Sequence, residues 1–126
     1  MLNKLRMRLA GDEGFTLIEL LVVIIILGIL LAIAIPSYLK FKDRANTAAA
    51  QANVVAAVPG IEAYNADHGT YVGATSAVLQ ASYDAGIKHI LIKSQTLTGY
   101  CIESTVGAAV YHKAGPSADV VAGNCP

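Results

Sequence analysis

The stretch Phe15–Ile35, FTLIELLVVIIILGILLAIAI, restricts what this chain can become more than any other, because Glu19 is the only strongly polar side chain in its 21 residues. As a helix it reaches about 30 Å, the thickness of one bilayer core, so the segment can span a membrane. Pro36 closes the run. A secretory signal peptide has a shorter apolar region followed by a small-residue cleavage site, whereas here the small residue, Gly14, precedes the run. A cut at that point keeps the apolar segment in the mature chain.

Glu19 is the anomaly within this segment. An ionised carboxylate at the centre of a bilayer costs roughly 2.5–3.5 kcal/mol on insertion scales, so such a group wants a cation. A free amine at Phe15 would lie one turn away, and a helix N-terminus favours a negative charge by about 0.3–1 kcal/mol. The alternative is a carboxylate at headgroup level near the start of the span, solvated and without a partner.

Gly14-Phe15-Thr16-Leu17-Ile18-Glu19, preceded by a short leader carrying Lys4, Arg6 and Arg8 and followed by a run that ends at Pro36, resembles the class III signal of type IV pilins and pseudopilins. The close match extends from Gly14 to Tyr38; beyond it only the organisation is similar. The resemblance implies that a prepilin peptidase cuts after Gly14 and methylates the new N-terminus at Phe15. It also implies that Glu19 guides assembly by meeting the amine of a neighbouring subunit's Phe15. Residues 1–14 would then be a leader removed on maturation, 15–36 the transmembrane and filament-core half of a helix, and 37–126 the head with the amphipathic half. The implied partners are further copies in a helical filament, the peptidase, an assembly ATPase and a platform membrane protein. The implied course runs from a single-pass inner-membrane precursor to an extracellular pilus.

Orientation is not settled by cations, since Lys40, Lys42 and Arg44 beyond the span balance the three in the leader. The cysteines decide it. Cys101 and Cys125 both lie in the C-terminal third, which suits a disulfide in an oxidising compartment outside the cytoplasm; two free thiols are the alternative. Such a bond closes a loop of about 25 residues, a contribution of about 3.5 kcal/mol in the chain-entropy model. Many type IV pilins have a C-terminal disulfide-bounded segment, and many major pseudopilins lack one.

With 126 residues, zero formal net charge and 14% charged residues, the chain offers one small head and no basic stripe for nucleic acid. From Ser37 the pattern turns amphipathic, with Phe41, Ala45, Ala48, Ala52 and Val55 at alternating spacings of four and three. Small side chains on this stripe allow close approach, either of a sheet or of other helices in a filament core. Ile61 and Tyr64 are expected to prolong the stripe past Pro59-Gly60, where a kink or break is expected at 58–60. Gly28 and Pro36 are the other expected kink points, and the helix should end near Asp67–Gly69.

A short second helix is predicted over Ala74–Ala85 with Thr75 or Ser76 as cap and Gly86 as stop. Three strands follow, Ile87–Lys93, Thr96–Thr105 and Ala108–Lys113, with a fourth at the edge if Asp119-Val120-Val121 pairs. The fold class is α+β: a long N-terminal helix packed against a small antiparallel sheet of three or four strands.

Catalytic patterns are missing. His68, His89 and His112 are scattered, neither cysteine has zinc-ligand spacing, and the chain has no phosphate loop or nucleophile elbow, so neither an enzyme nor a cofactor is expected. A metal site at Asp67 and His68 is outweighed by solvated loop roles. Electron conduction through Phe15, Tyr38, Phe41, Tyr64 and Tyr71 is outweighed by packing. The main reading is a structural filament subunit, the abundant pilin of a fibre for adhesion, motility or DNA uptake. A pseudopilin of a type II secretion or competence system is the alternative, and an uncleaved membrane protein with a small binding head is a weaker third.

Overall fold

The computed structural model describes residues 14–126, so the leader cations and the Asp12-Glu13 pair lie outside the described residues. Helix α1 runs Leu17–His68, 52 residues. The described residues divide into two units, with the boundary between Tyr38 and Leu39 inside α1.

In the first unit the apolar side chains are exposed throughout, from Leu17 to Ile35. Among the described residues α1 is the one helix long and apolar enough to cross a membrane, and none of its most apolar window is buried within the protein. It passes through Gly28 and Pro36 without interruption. Pro36 has no N–H to give the Ala32 carbonyl, and beside it the Ser37 hydroxyl donates to the carbonyl of Ile33 at 3.2 Å.

In the second unit α1 buries Ala50, Val54, Ala57, Gly60, Ile61 and Tyr64. Their spacing of three and four residues draws one stripe along the helix. It is not the stripe expected from the sequence, because Phe41, Ala45, Ala48, Ala52 and Val55 are exposed, and at 100° per residue they lie on the opposite face. Ile61 and Tyr64 belong to the buried stripe and do not prolong the other. Nor does the helix break at Val58–Gly60; it continues through Pro59 to His68, with residues on both sides of the proline fixed in the core. The end falls where expected. Gly69 adopts a left-handed conformation, and its N–H donates to Asn65 O at 2.7 Å.

Helix α2, Ser76–Ser82, is capped by Thr75, whose hydroxyl accepts the Val78 N–H at 3.2 Å. It stops short of the predicted Ala85 because Asp84 Oδ1 accepts the Gly86 N–H at 2.7 Å and closes a turn. The predicted first strand is also late. His89 has φ +56°, a left-handed conformation incompatible with an extended run, so β1 begins only at Leu91.

The sheet is an antiparallel meander in sequence order: β1 Leu91–Gln95, β2 Tyr100–Val106, β3 Ala109–Gly115 and β4 Val120–Ala122. Four strands form, the edge strand included. β2 is buried on both faces, as alternation requires when something covers each side. Tyr100 and Ile102 join the core with Val54, Ala57, Ile61, Tyr64, Leu79 and Ile90, while Cys101 and Glu103 meet the tail at Cys125. Among the described residues no buried side-chain nitrogen or oxygen lacks a hydrogen-bond partner.

Glu62 fixes how β2 sits on α1. It accepts the Tyr71 hydroxyl at 2.8 Å on one oxygen and the Tyr100 hydroxyl at 3.1 Å on the other. Burial, followed by the bond to Glu62, pushes the Tyr100 phenol well above its ordinary range. The hydroxyl end of the Tyr100 ring occupies the space beside its strand partner Gly115, where an added methyl would overlap the ring. Gly115→Ala should therefore destabilise the head by about 1–3 kcal/mol, the usual cost of overpacking, read as a lower thermal midpoint of the full chain in detergent.

Candidate assembly interface

Thr16 and Glu19 form a reciprocal pair at the start of α1. Glu19 Oε2 accepts the Thr16 N–H at 2.7 Å, and Thr16 Oγ1 accepts the Glu19 N–H at 3.2 Å. This is a capping box, which satisfies two amides that the first helical turn leaves open. The carboxylate therefore has a task inside its own chain, and among the described residues it makes no ion pair. Its second oxygen carries no hydrogen bond from the described residues. The signature T-x-x-E is legible in Thr16-Leu17-Ile18-Glu19, and reading Glu19 only as a charge overlooks it.

Phe15, Ile18, Leu20, Val22 and Val23 form an apolar groove around Glu19, with Phe15 83% exposed. In the second unit the alanine stripe from Ala45 to Ala52, bracketed by Phe41 at 71% and Val55 at 57% exposure, is likewise uncovered. The two stripes of α1 thus have different fates: the head occupies one, and the small-residue stripe opposite it is available to other helices.

The head is closed at its C-terminus by the Cys101–Cys125 disulfide. Glu103, 3% exposed, lies beside it. Its Oε2 accepts the Cys125 N–H at 3.0 Å, and Lys93 Nζ is 3.2 Å from Oε1. The hydrogen bond from Cys125, then the Lys93 ammonium, hold the Glu103 carboxyl below the usual carboxylate range. Sequence reading missed Glu103, since nothing in its neighbours marks a buried acid.

The histidines stay apart, and the described residues hold no group of three metal-ligating side chains. Asp67 accepts the Tyr83 hydroxyl at 2.8 Å, while His68 stacks on Tyr64 with 4.1 Å between ring centroids. Both serve the end of α1.

Residues 10–35 match the profile of the prokaryotic N-terminal methylation motif. Over 111 residues, 86% of this chain and 85% of the relative, the sequence is 34% identical to the type IV wide pilus major component of Thermus thermophilus. The chain belongs to the type IV pilin family. It is also 32% identical to the fimbrial protein of Neisseria meningitidis serogroup B, over 81% of this chain and 62% of that one. Similarity reaches the pseudopilin branch as well, at 35% identity to the type II secretion system core protein G of Klebsiella michiganensis, over 52% of this chain and 46% of that one. The family is structural and not enzymatic, and its members are filament-forming subunits.

If the capping box holds the start of this pilin's helix, Thr16→Ala should raise the exchange rate of the Glu19 amide about 2- to 30-fold, the equivalent of about 0.5–2 kcal/mol for a lost cap. Hydrogen exchange on the full chain in lipid nanodiscs reads this directly, and the Tyr64 amide serves as an unaffected reference.

Proposed function

We propose that the chain is the major subunit of a type IV pilus, made as a single-pass inner-membrane precursor and polymerised through α1 into an extracellular fibre for adhesion, motility or DNA uptake. The observation that carries this reading is the division of α1 into two faces, one covered by the head and one lined by alanine and left bare. Small side chains let helices approach closely, and an alanine stripe opposite the head suits packing among copies of the same helix.

In this reading residues 1–14 are removed by a prepilin peptidase, residues 15–36 form the span and later the filament core, and residues 37–126 form the head. The cut after Gly14 frees the Phe15 amine, which is then methylated. Glu19 keeps one oxygen on its own Thr16 and offers the other to a neighbour's Phe15. Burying that charge without its partner costs several kcal/mol, so a wrong axial register is penalised. Lipid is as apolar as leucine, so extraction from the membrane is not driven by hydrophobicity, and an assembly ATPase acting through a platform protein supplies the work. Gly28 and Pro36 are the points at which α1 yields during that passage, whereas Pro59 is held on both sides by the core of the head.

The similarity to core protein G supports a second reading, a pseudopilin of a secretion or competence machine. The disulfide favours the first, because a fibre exposes its subunits outside the cell.

Glu19→Ala should leave membrane insertion intact, since it makes the span more apolar, and should reduce the yield of sheared fibres. Normal fibre amounts from that variant would refute the role given to Glu19. Intact-mass spectrometry of material sheared from the cell surface tests the whole reading. The expected mass starts at methylated Phe15 and rises by about 2 Da when the disulfide is reduced. Processed protein confined to membranes would support the pseudopilin instead, and an uncut Met1 form would rule out both.

A further inference from the structure

The assembly reading leaves Glu103 without a task, although a carboxylate buried on the far face of a small sheet is costly unless it is paired. Its surroundings are built around the tail. In the pairing of β1 with β2, Ile92 opposes Ile102 and Ser94 opposes Cys101, so Lys93 is the extra residue of a bulge. The Lys93 ammonium lies on Glu103 Oε1, while the other oxygen takes the backbone N–H of Cys125.

Further bonds that do not involve sulfur hold the same segment. Val120, Val121 and Ala122 pair with Lys113, His112 and Tyr111. Lys113 Nζ donates to the Ala118 carbonyl, the Gly123 N–H donates to Val110 O at 2.8 Å, and His112 Nδ1 is 2.8 Å from Gly123 O. The tail is therefore hydrogen-bonded up to the residue that carries the second sulfur.

We propose that Glu103 docks the C-terminal tail independently of the disulfide and presents Cys125 to Cys101, so that the tail seats first and is sealed second. The titratable groups facing Glu103 are Lys93 from β1 and its strand partner His112 from β3, and the tail itself contributes the Cys125 amide. If the disulfide were opened and the tail left, Glu103 would lose the acceptor role for which it is buried, so the carboxylate opposes release. The sealing step needs a disulfide oxidant such as oxidised glutathione. One cysteine thiolate attacks it and expels one thiolate, and the second cysteine then displaces the other. An Sγ–Sγ bond forms, the protein gives up two protons and two electrons, and the oxidant leaves as two thiols. Glu103 is a positioning residue in this step and touches neither sulfur in the exchange.

The test uses the full chain in detergent micelles equilibrated with reduced and oxidised glutathione, reading the effective concentration of the Cys101–Cys125 pair. Glu103→Met keeps the bulk and removes the acceptor, and it should lower that effective concentration at least tenfold. Glu103→Gln retains an acceptor oxygen and should fall in between, which a general loss of packing would not produce. Equal values for the unmodified chain and Glu103→Met would overturn the proposal.

A second measurement removes the sulfur altogether. In Cys101→Ser/Cys125→Ser the backbone amide at position 125 should stay protected from hydrogen exchange, and adding Glu103→Met should abolish that protection while Ile102 remains protected. An unprotected amide at position 125 with Glu103 intact would show that the covalent bond alone holds the tail, and loss of protection at Ile102 in the disulfide-free chain would show that the head itself needs that bond to fold; either result overturns the proposal.

Discussion

A meander of four short strands needs its apolar face covered, and here one stripe of α1 covers it. Ala50, Val54, Ala57, Ile61 and Tyr64 supply that stripe, and the small residues among them let β2 and the loop after α2 come close. Ile87 reaches Gly60 from that loop, and Ile102 and Tyr100 reach the helix from β2. The contact fixes which face of the helix the head consumes, and with it which face stays bare. A single choice of register between helix and sheet thus sets both the stability of the head and which face of α1 stays uncovered.

Two carboxylates orient β2, one on each of its faces. Glu62, on α1, takes the hydroxyls of Tyr71 and Tyr100 and ties helix, loop and strand together. Glu103, on the strand itself, takes the tail amide and the Lys93 ammonium. Between them Asn53 donates to Ser104, which donates to the carbonyl of His89 and fastens the residue whose left-handed backbone delays the start of β1. Apolar burial supplies the bulk of the cohesion, while these directional bonds select one arrangement among several that bury similar area.

Much of the fold was legible because it rests on local rules. The span follows from 21 residues with one charge, the end of α1 from Gly69, the cap of α2 from Thr75, and the sheet from β-branched residues in Ile87–Lys93 and loosely alternating runs after it. The shortfalls have local causes too. The α2 stop came early because Asp84 competes for a backbone N–H, and β1 came late because His89 leaves the extended region. Proline at position 59 read as a break, yet the core holds the helix on both sides of it. The capping box of Thr16 and Glu19 is written in the T-x-x-E spacing, a local rule that holds beside the charge of Glu19.

By itself the sequence determined that the chain has one apolar helix able to cross a membrane, a carboxylate at its start, a second helix, a small antiparallel sheet and two cysteines in the last third. Those features depend on composition and on periods of a few residues, which a linear reading captures. Only the tertiary structure decided which of two opposed stripes on α1 the sheet would cover, because both stripes are spaced alike and either can bury apolar area. It alone placed Glu62 between two tyrosines and Glu103 beside the tail, since those meetings join residues far apart in sequence. The bare alanine stripe is the consequence: it was visible in the sequence as a packing face, and only the packed head shows that the described residues leave this face uncovered.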